Sequence, residues 1–184
     1  VHAGSGGVGT FAIQLARHLG ATVATTASAA NTDMLKRLGA DIVVDYRKDD
    51  FAAVLKDFDL VLDTQGGDTL RKSLGVLKPG GKVIGIAGPP DPDFADASGA
   101  AWFLKLVFSL LSYGVRSAAK RRDVSYSFLF MRASGKQLSE IAALIDAGGI
   151  RPVIDRVVPF AETRDALDYA ESGRAKGKVV IKMR

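Results

Sequence analysis

Gly4-x-Gly6-x-x-Gly9 stands at the end of a short apolar run, Val1–Ala3, and opens an amphipathic stretch, Thr10–Leu19. Three glycines at this spacing, between a strand end and a helix start, let a backbone close on a pyrophosphate. On this reading Gly4 allows the tight turn, Gly6 admits the phosphates to the main chain, and Gly9 lets the helix pack on its strand. The N–H groups of the first helical turn then face the anion. With 20 glycines in 184 residues the spacing alone is weak, and a purely structural turn is the competing account. Its place between strand and helix gives it weight.

A second group lies at the end of the next predicted strand, Thr25-Thr26-Ala27-Ser28. A site for NAD commonly carries Asp or Glu about 20 residues after the glycine turn, where the carboxylate accepts from the ribose hydroxyls. None stands here, and the nearest acid, Asp33, belongs to the following helix. A carboxylate would repel a 2′-phosphate, so its absence leaves room for one. Ser28 and Asn31 can donate to phosphate oxygens, Tyr46 can donate from its hydroxyl, and Arg47 adds charge. These residues favour NADP(H) over NAD. Helix capping is the competing role for Ser28 and Asn31, and covering a sheet edge is that for Tyr46.

Other chemistries are poorly supplied. There are no cysteines and only two histidines, His2 and His18, which excludes disulfides and cysteine-ligated zinc and leaves no zinc site expected from this chain alone. No Ser/His/Asp constellation and no convincing carboxylate pair is present, so no catalytic acid or base is assigned. Tyr113 and Tyr126 could donate protons, although packing is the plainer role for both. The net charge of +5 is spread along the chain. Its densest cluster, Lys120-Arg121-Arg122, lacks interleaved aromatics and reads as a solvated helix end, so no nucleic-acid partner is expected.

The elements that must position these residues alternate β-branched runs with helical segments, the pattern of a parallel sheet with crossover helices. Strands are expected at Val1–Ala3, Thr22–Ala27, Asp41–Tyr46, Leu60–Thr64, Lys82–Ala87 and Val124–Met131. Helices are expected at Thr10–Leu19, Asn31–Leu38, Phe51–Lys56, Thr69–Leu77, Ala100–Val115, Ser134–Ala147 and Ala161–Glu171. Gly88–Ser98 reads as loop on its proline and aspartate content. Arg151–Val158 and Lys178–Met183 read as extended. The whole is a Rossmann-type, doubly wound, mostly parallel six-stranded α/β sheet with helices on both faces. Residues 1–150 form the nucleotide-binding domain and 151–184 a carboxyl-terminal segment. Ala100–Val115 is apolar nearly all round, as a buried or interface helix would be, with a membrane-surface or substrate-lining role as the sharper reading. It is too short for the roughly 20 apolar residues of a membrane span. The chain opens inside an apolar strand with no signal peptide, so it reads as a fragment of a cytoplasmic protein whose upstream part is absent.

The stretches HAGSGGVGTFAIQLA, LKRLGADIVVDYR, DLVLDTQGG, LKPGGKVIGIAG and GRAKGKVVIKM, in this order and spacing, resemble the quinone oxidoreductase branch of the medium-chain dehydrogenase/reductase superfamily. The resemblance implies NADPH as cofactor and hydride transfer to a small-molecule quinone, enone or related carbonyl, without zinc despite the family's zinc-binding label. It assigns Ser5, Gly7 and Val8 to the pyrophosphate and Ser28, Asn31 and Tyr46 to the 2′-phosphate. Asn31 stands where relatives have Lys, which weakens the phosphate site or leaves its charge to Arg47. The Ser127–Phe130 strand end, with Phe130, and the Arg174–Lys178 stretch, with Lys178, are implied to approach the nicotinamide. A preceding barrel-like domain is implied, to which Arg151–Val158 and Lys178–Met183 would return, leaving these strands poorly satisfied without it. A homodimer through Val124–Met131 is implied as well. Two other classes stay open on the residues: a non-catalytic NADPH-binding or sensing module, and an S-adenosylmethionine-dependent methyltransferase, in which LKPGGKV also occurs.

Overall fold

The computed structural model describes residues 1–184. In chain order the first half runs α1 (Gly9–His18), β1 (Ala24–Ala27), α2 (Thr32–Arg37), β2 (Ile42–Asp45), α3 (Phe51–Val54), β3 (Phe58–Asp63), α4 (Gly67–Ser73) and β4 (Leu77–Gly85). The second runs α5 (Pro92–Ser98), α6 (Trp102–Lys120), β5 (Ser125–Phe128), α7 (Gly135–Asp146), β6 (Ile154–Pro159), α8 (Thr163–Glu171) and β7 (Lys178–Lys182). Every strand pairing is parallel, and the strands group as β1-β2, β3-β4-β5 and β6-β7. The α/β class with a parallel sheet and crossover helices is therefore as the alternating pattern requires. The strands number seven, and they hydrogen-bond in groups of two, three and two instead of one six-stranded ladder.

The chain divides into two compact units. The first comprises Val1, residues 3–47 and residues 134–184. Its core gathers Ile13 of α1, Val23 and Ala27 around β1, Leu35 of α2 and Ala40, with Val1, Ala16, Met34, Leu38 and Val43 packed against them. All four residues of β1 are buried, which is what a parallel strand covered on both faces demands of its short side chains. Val1 is not itself assigned to a strand, but its carbonyl accepts the Thr26 N–H at 3.3 Å and the Thr25 hydroxyl at 2.8 Å. Helices α1 and α2 stop where glycine permits: Gly20 (φ +83°) and Gly39 (φ +106°) take the left-handed turn, and the residues after them, Ala21 and Ala40, donate back to Ala16 and Leu35. The closing strands, which the resemblance implied to be poorly satisfied, form a two-stranded sheet in which each keeps an unpaired edge. They pair with each other, Ile154 opposite Lys178 and Pro159 opposite Lys182.

The second unit comprises His2 and residues 48–133. Its buried apolar residues include Phe51, Val61, Leu70, Leu74, Val83, Ala119 and Tyr126. Segment 88–98 departs from the loop expectation, because residues 92–98 are helical. Asp91 caps this helix by accepting the Phe94 N–H at 2.8 Å, Pro92 occupies its first position, and Gly99 (φ +68°) ends it. The residues that suggested a loop are those that start and stop a helix. Strand β4 likewise begins at Leu77, inside the expected helix, because Lys78–Gly81 form a bulge between the pairs Phe58–Leu77 and Leu60–Lys82. Strand β5 covers only Ser125–Phe128 of the expected Val124–Met131. Helix α6 is longer than expected and is not buried by this chain: Trp102, Phe103, Leu106, Leu110 and Tyr113 are exposed along it. No helix is long and apolar enough to cross a membrane.

Candidate functional site

The glycine turn lies in the first unit, between Val1 and α1. The residue with positive φ is Ala3 (φ +50°), not Gly4. What Gly4 supplies is space, since a Cβ there would collide with the Thr25 hydroxyl, which is held to the Val1 carbonyl. Gly4 donates to Thr26 O at 3.0 Å and Gly6 to Ala3 O at 3.0 Å, which folds the turn back on β1. A Cβ on Gly9 would run into Ala3 O and the backbone of Gly4, so α1 starts in direct contact with the turn. The N–H groups of Ser5, Gly7 and Val8 have no acceptor in the protein, and the first turn of α1 carries no acid. Together they present a run of uncompensated donors at the positive end of a ten-residue helix.

Lys178, expected toward the nicotinamide, comes to this turn from the opposite end of the sequence. Gly177 donates its N–H to Ser5 O at 2.9 Å, and a Cβ on Gly7 would lie 3.0 Å from Lys178 Nζ. The ammonium sits 5.9 Å from the centre of the Phe11 ring and has no carboxylate partner. The preceding loop is held by Asp155, which accepts the Tyr169 hydroxyl at 2.7 Å and the Lys176 N–H at 3.1 Å. The Tyr169 hydrogen bond keeps the Asp155 carboxyl below its ordinary range.

The ends of β1 and β2 meet beside one another, Ala27 opposite Asp45, with the Tyr46 N–H donating to Ala27 O at 3.3 Å. This register brings Ser28 and Asn31 into one neighbourhood with Tyr46 and Arg47. Asn31 is buried, and its Nδ2 donates to Ser28 Oγ at 3.1 Å. Its Oδ1 is buried with no partner. Turning the carboxamide over exchanges the two ends and still leaves one polar atom unmatched. Arg47 lies with its guanidinium carbon 5.8 Å from the centre of the exposed Tyr46 ring and has no ion pair. Ser28, Tyr46 and Arg47 can donate to and neutralise a phosphate, while the Asn31 Oδ1, an acceptor, needs a donor. Capping does not occupy the two side chains: neither the Ser28 Oγ nor the Asn31 Oδ1 accepts a backbone N–H of the turn that follows it.

Phe130 belongs to the second unit, where it joins an aromatic cluster with Phe94 (6.0 Å between ring centres) and Phe128 (6.5 Å). Other titratable groups of this unit serve the fold. His2 is buried, its Nε2 lies 2.8 Å from Ser73 Oγ, and burial pushes its pKa down to about 4. Tyr126 donates its hydroxyl to Pro89 O at 2.8 Å, and burial pushes its pKa up, which makes it a poor proton donor. Asp91 is fully committed, one oxygen to Phe94 N–H and the other to Phe128 N–H at 2.9 Å. Sequence reasoning missed Asp91 as a capping residue, although Asp followed by Pro was its signal. It also missed that Gly177 would place Lys178 on the turn, for which no local signal exists.

Comparison with known proteins gives consistent relations. The zinc-binding dehydrogenase family matches residues 38–181. The chain is 38% identical to the mitochondrial NAD(P)H oxidoreductase RTN4IP1 of Danio rerio, over 97% of this chain and 47% of that protein. It is 31% identical to the chloroplastic NADPH-dependent alkenal/one oxidoreductase of Arabidopsis thaliana, over 97% of this chain and 38% of that protein. Among solved structures, the quinone oxidoreductase from Coxiella burnetii superposes with a TM-score of 0.82 at 30% identity, covering 100% of this chain and 51% of the other. The chain thus spans about half the length, or less, of the proteins it resembles.

Proposed function

The chain belongs to the zinc-binding dehydrogenase family, within the medium-chain dehydrogenase/reductase superfamily, and from that premise we propose that it is the NADPH-binding part of an oxidoreductase acting on a quinone, enone or related carbonyl. The observation that carries this reading is the set of free N–H groups at Ser5, Gly7 and Val8 with the unpaired Lys178 ammonium beside them. They would hold the pyrophosphate. Ser28, Asn31, Tyr46 and Arg47 would hold the 2′-phosphate, where a carboxylate would have favoured NAD. When bound, the dihydronicotinamide supplies a hydride to an electrophilic carbon. The chain's own contribution is to fix the cofactor's phosphates and so orient the ring end. In this reading residues 1–150 are the nucleotide-binding domain and residues 151–184 return Lys178 to it. The names of the relatives, an alkenal/one oxidoreductase and a quinone oxidoreductase, support the acceptor class.

Zinc independence is part of the proposal. No three His, Cys, Asp or Glu side chains of this chain converge as ligands. The methyltransferase reading falls with the family assignment. A binding module without turnover is separated from an enzyme by whether NADPH absorbance is lost on adding a quinone. Calorimetric titration with NADPH and with NADH tests the site itself. NADPH is expected to bind at least tenfold more tightly. Equal affinities would remove the 2′-phosphate assignment, and no binding of either would remove the glycine-turn assignment.

A further inference from the structure

A cavity of about 310 Å³ opens in the first unit, lined by Gln14, Arg17, His18, Arg37, Gly149 and Arg151 among others. The glycine turn is at the start of α1, and this cavity is lined by its second half, Gln14 to His18, about 7 to 14 Å further along at 1.5 Å rise per residue. The two are separate sites. Three exposed arginines line the cavity, and one of them is paired: Arg17 Nη1 lies 3.6 Å from Asp41 Oδ1. The other oxygen of Asp41 is taken by the Val23 N–H at 2.8 Å. Arg37 and Arg151 have no carboxylate partner.

Cations at a helix carboxyl end offset its dipole, and this accounts for Arg17, His18 and Arg37, which end α1 and α2. It does not account for Arg151, which lies on no helix. The fold secures that residue deliberately. Gln14 is buried, donates Nε2 to Arg151 O at 3.0 Å, and accepts the Arg151 N–H at Oε1 at 2.8 Å. Both ends of one carboxamide fix one backbone position 137 residues away.

We propose that this cavity is a second anion site, distinct from the cofactor turn, and that it takes a phosphorylated small molecule. Two arginines without a carboxylate partner on one cavity offer two positive charges to a multiply charged ligand, and planar guanidinium donor forks fit phosphoryl oxygens in pairs. The volume lies at the small end of ligand pockets, which start at about 300 Å³.

The test is calorimetric titration of the chain with inorganic pyrophosphate at fixed ionic strength and saturating NADPH, which fills the glycine turn, beside R37Q/R151Q and K178Q. Wild type and K178Q are expected to show the same saturable binding at this site, and R37Q/R151Q to lose at least tenfold in affinity while keeping wild-type circular dichroism and NADPH affinity. Arg37→Glu alone, on the exposed end of α2, should act in the same direction. Undiminished binding by R37Q/R151Q, or a loss confined to K178Q, would overturn the site. Succinate is expected to bind at least tenfold more weakly than pyrophosphate; equal binding would overturn the phosphoryl assignment.

Discussion

Lys178 is the residue on which the cofactor reading most depends, because it is the only side-chain cation the structure sets against the glycine turn. Lys178→Gln keeps length and polarity and removes the charge. NADPH affinity is expected to fall about tenfold, roughly 1.4 kcal/mol, at low ionic strength. The difference should shrink as salt is raised, since the ammonium is exposed and screened. Titrations of both proteins across a salt series measure it. His2 makes a different prediction. Its folded pKa of about 4 lies below the ordinary 6.5, so between these values the unfolded chain binds the proton and the folded chain does not. Stability is full above the upper value and falls as pH drops through the window, by about 3 kcal/mol at 1.36 kcal/mol per unit. His2→Gln, which can still bond Ser73, should lose that slope relative to wild type in urea melts taken at several pH values.

At the scale of elements, Asp91 ties the start of α5 to the end of β5 through two N–H groups, at 2.8 and 2.9 Å. Replacing it by Ala removes a cap and leaves the Phe128 N–H unsatisfied, each costing about 1–2 kcal/mol. The expected loss is about 2–4 kcal/mol in chemical unfolding, with NADPH affinity of the remaining folded protein unchanged. This link shows where reading elements from composition went astray. Aspartate, proline and glycine over 88–99 look like loop when counted, but their order, Asp before Pro and Gly at the end, is that of a capped helix. By contrast, Gly20 and Gly39 were legible as helix stops because the left-handed turn they make is a purely local requirement. So were the parallel strands, whose β-branched runs alternate with helices.

At the scale of the molecule, the outer edge of β5 carries no strand within this fold, since the order β3-β4-β5 ends there. Our reading of the chain as a homodimer rests on that edge, an open backbone ladder being a standing invitation to pair. Light scattering after size-exclusion chromatography should give twice the monomer mass of 19.4 kDa. A monomeric mass in wild type would end this reading.

The local chemistry was determined by the sequence alone: a turn whose glycines make room for backbone, an acid-free end to β1, and no cysteine with which to build a thiolate metal site. Each depends on residues within a few positions of one another, where sterics and side-chain type suffice. Only the tertiary structure decided which residues converge from afar. Gly177 sets Lys178 on the glycine turn through one hydrogen bond to Ser5, Gln14 holds the Arg151 backbone in the cavity that Arg17 and Arg37 also line, and the two carboxyl-terminal strands pair with each other. Such contacts are fixed by packing between distant segments, and no periodicity or spacing in the chain encodes them.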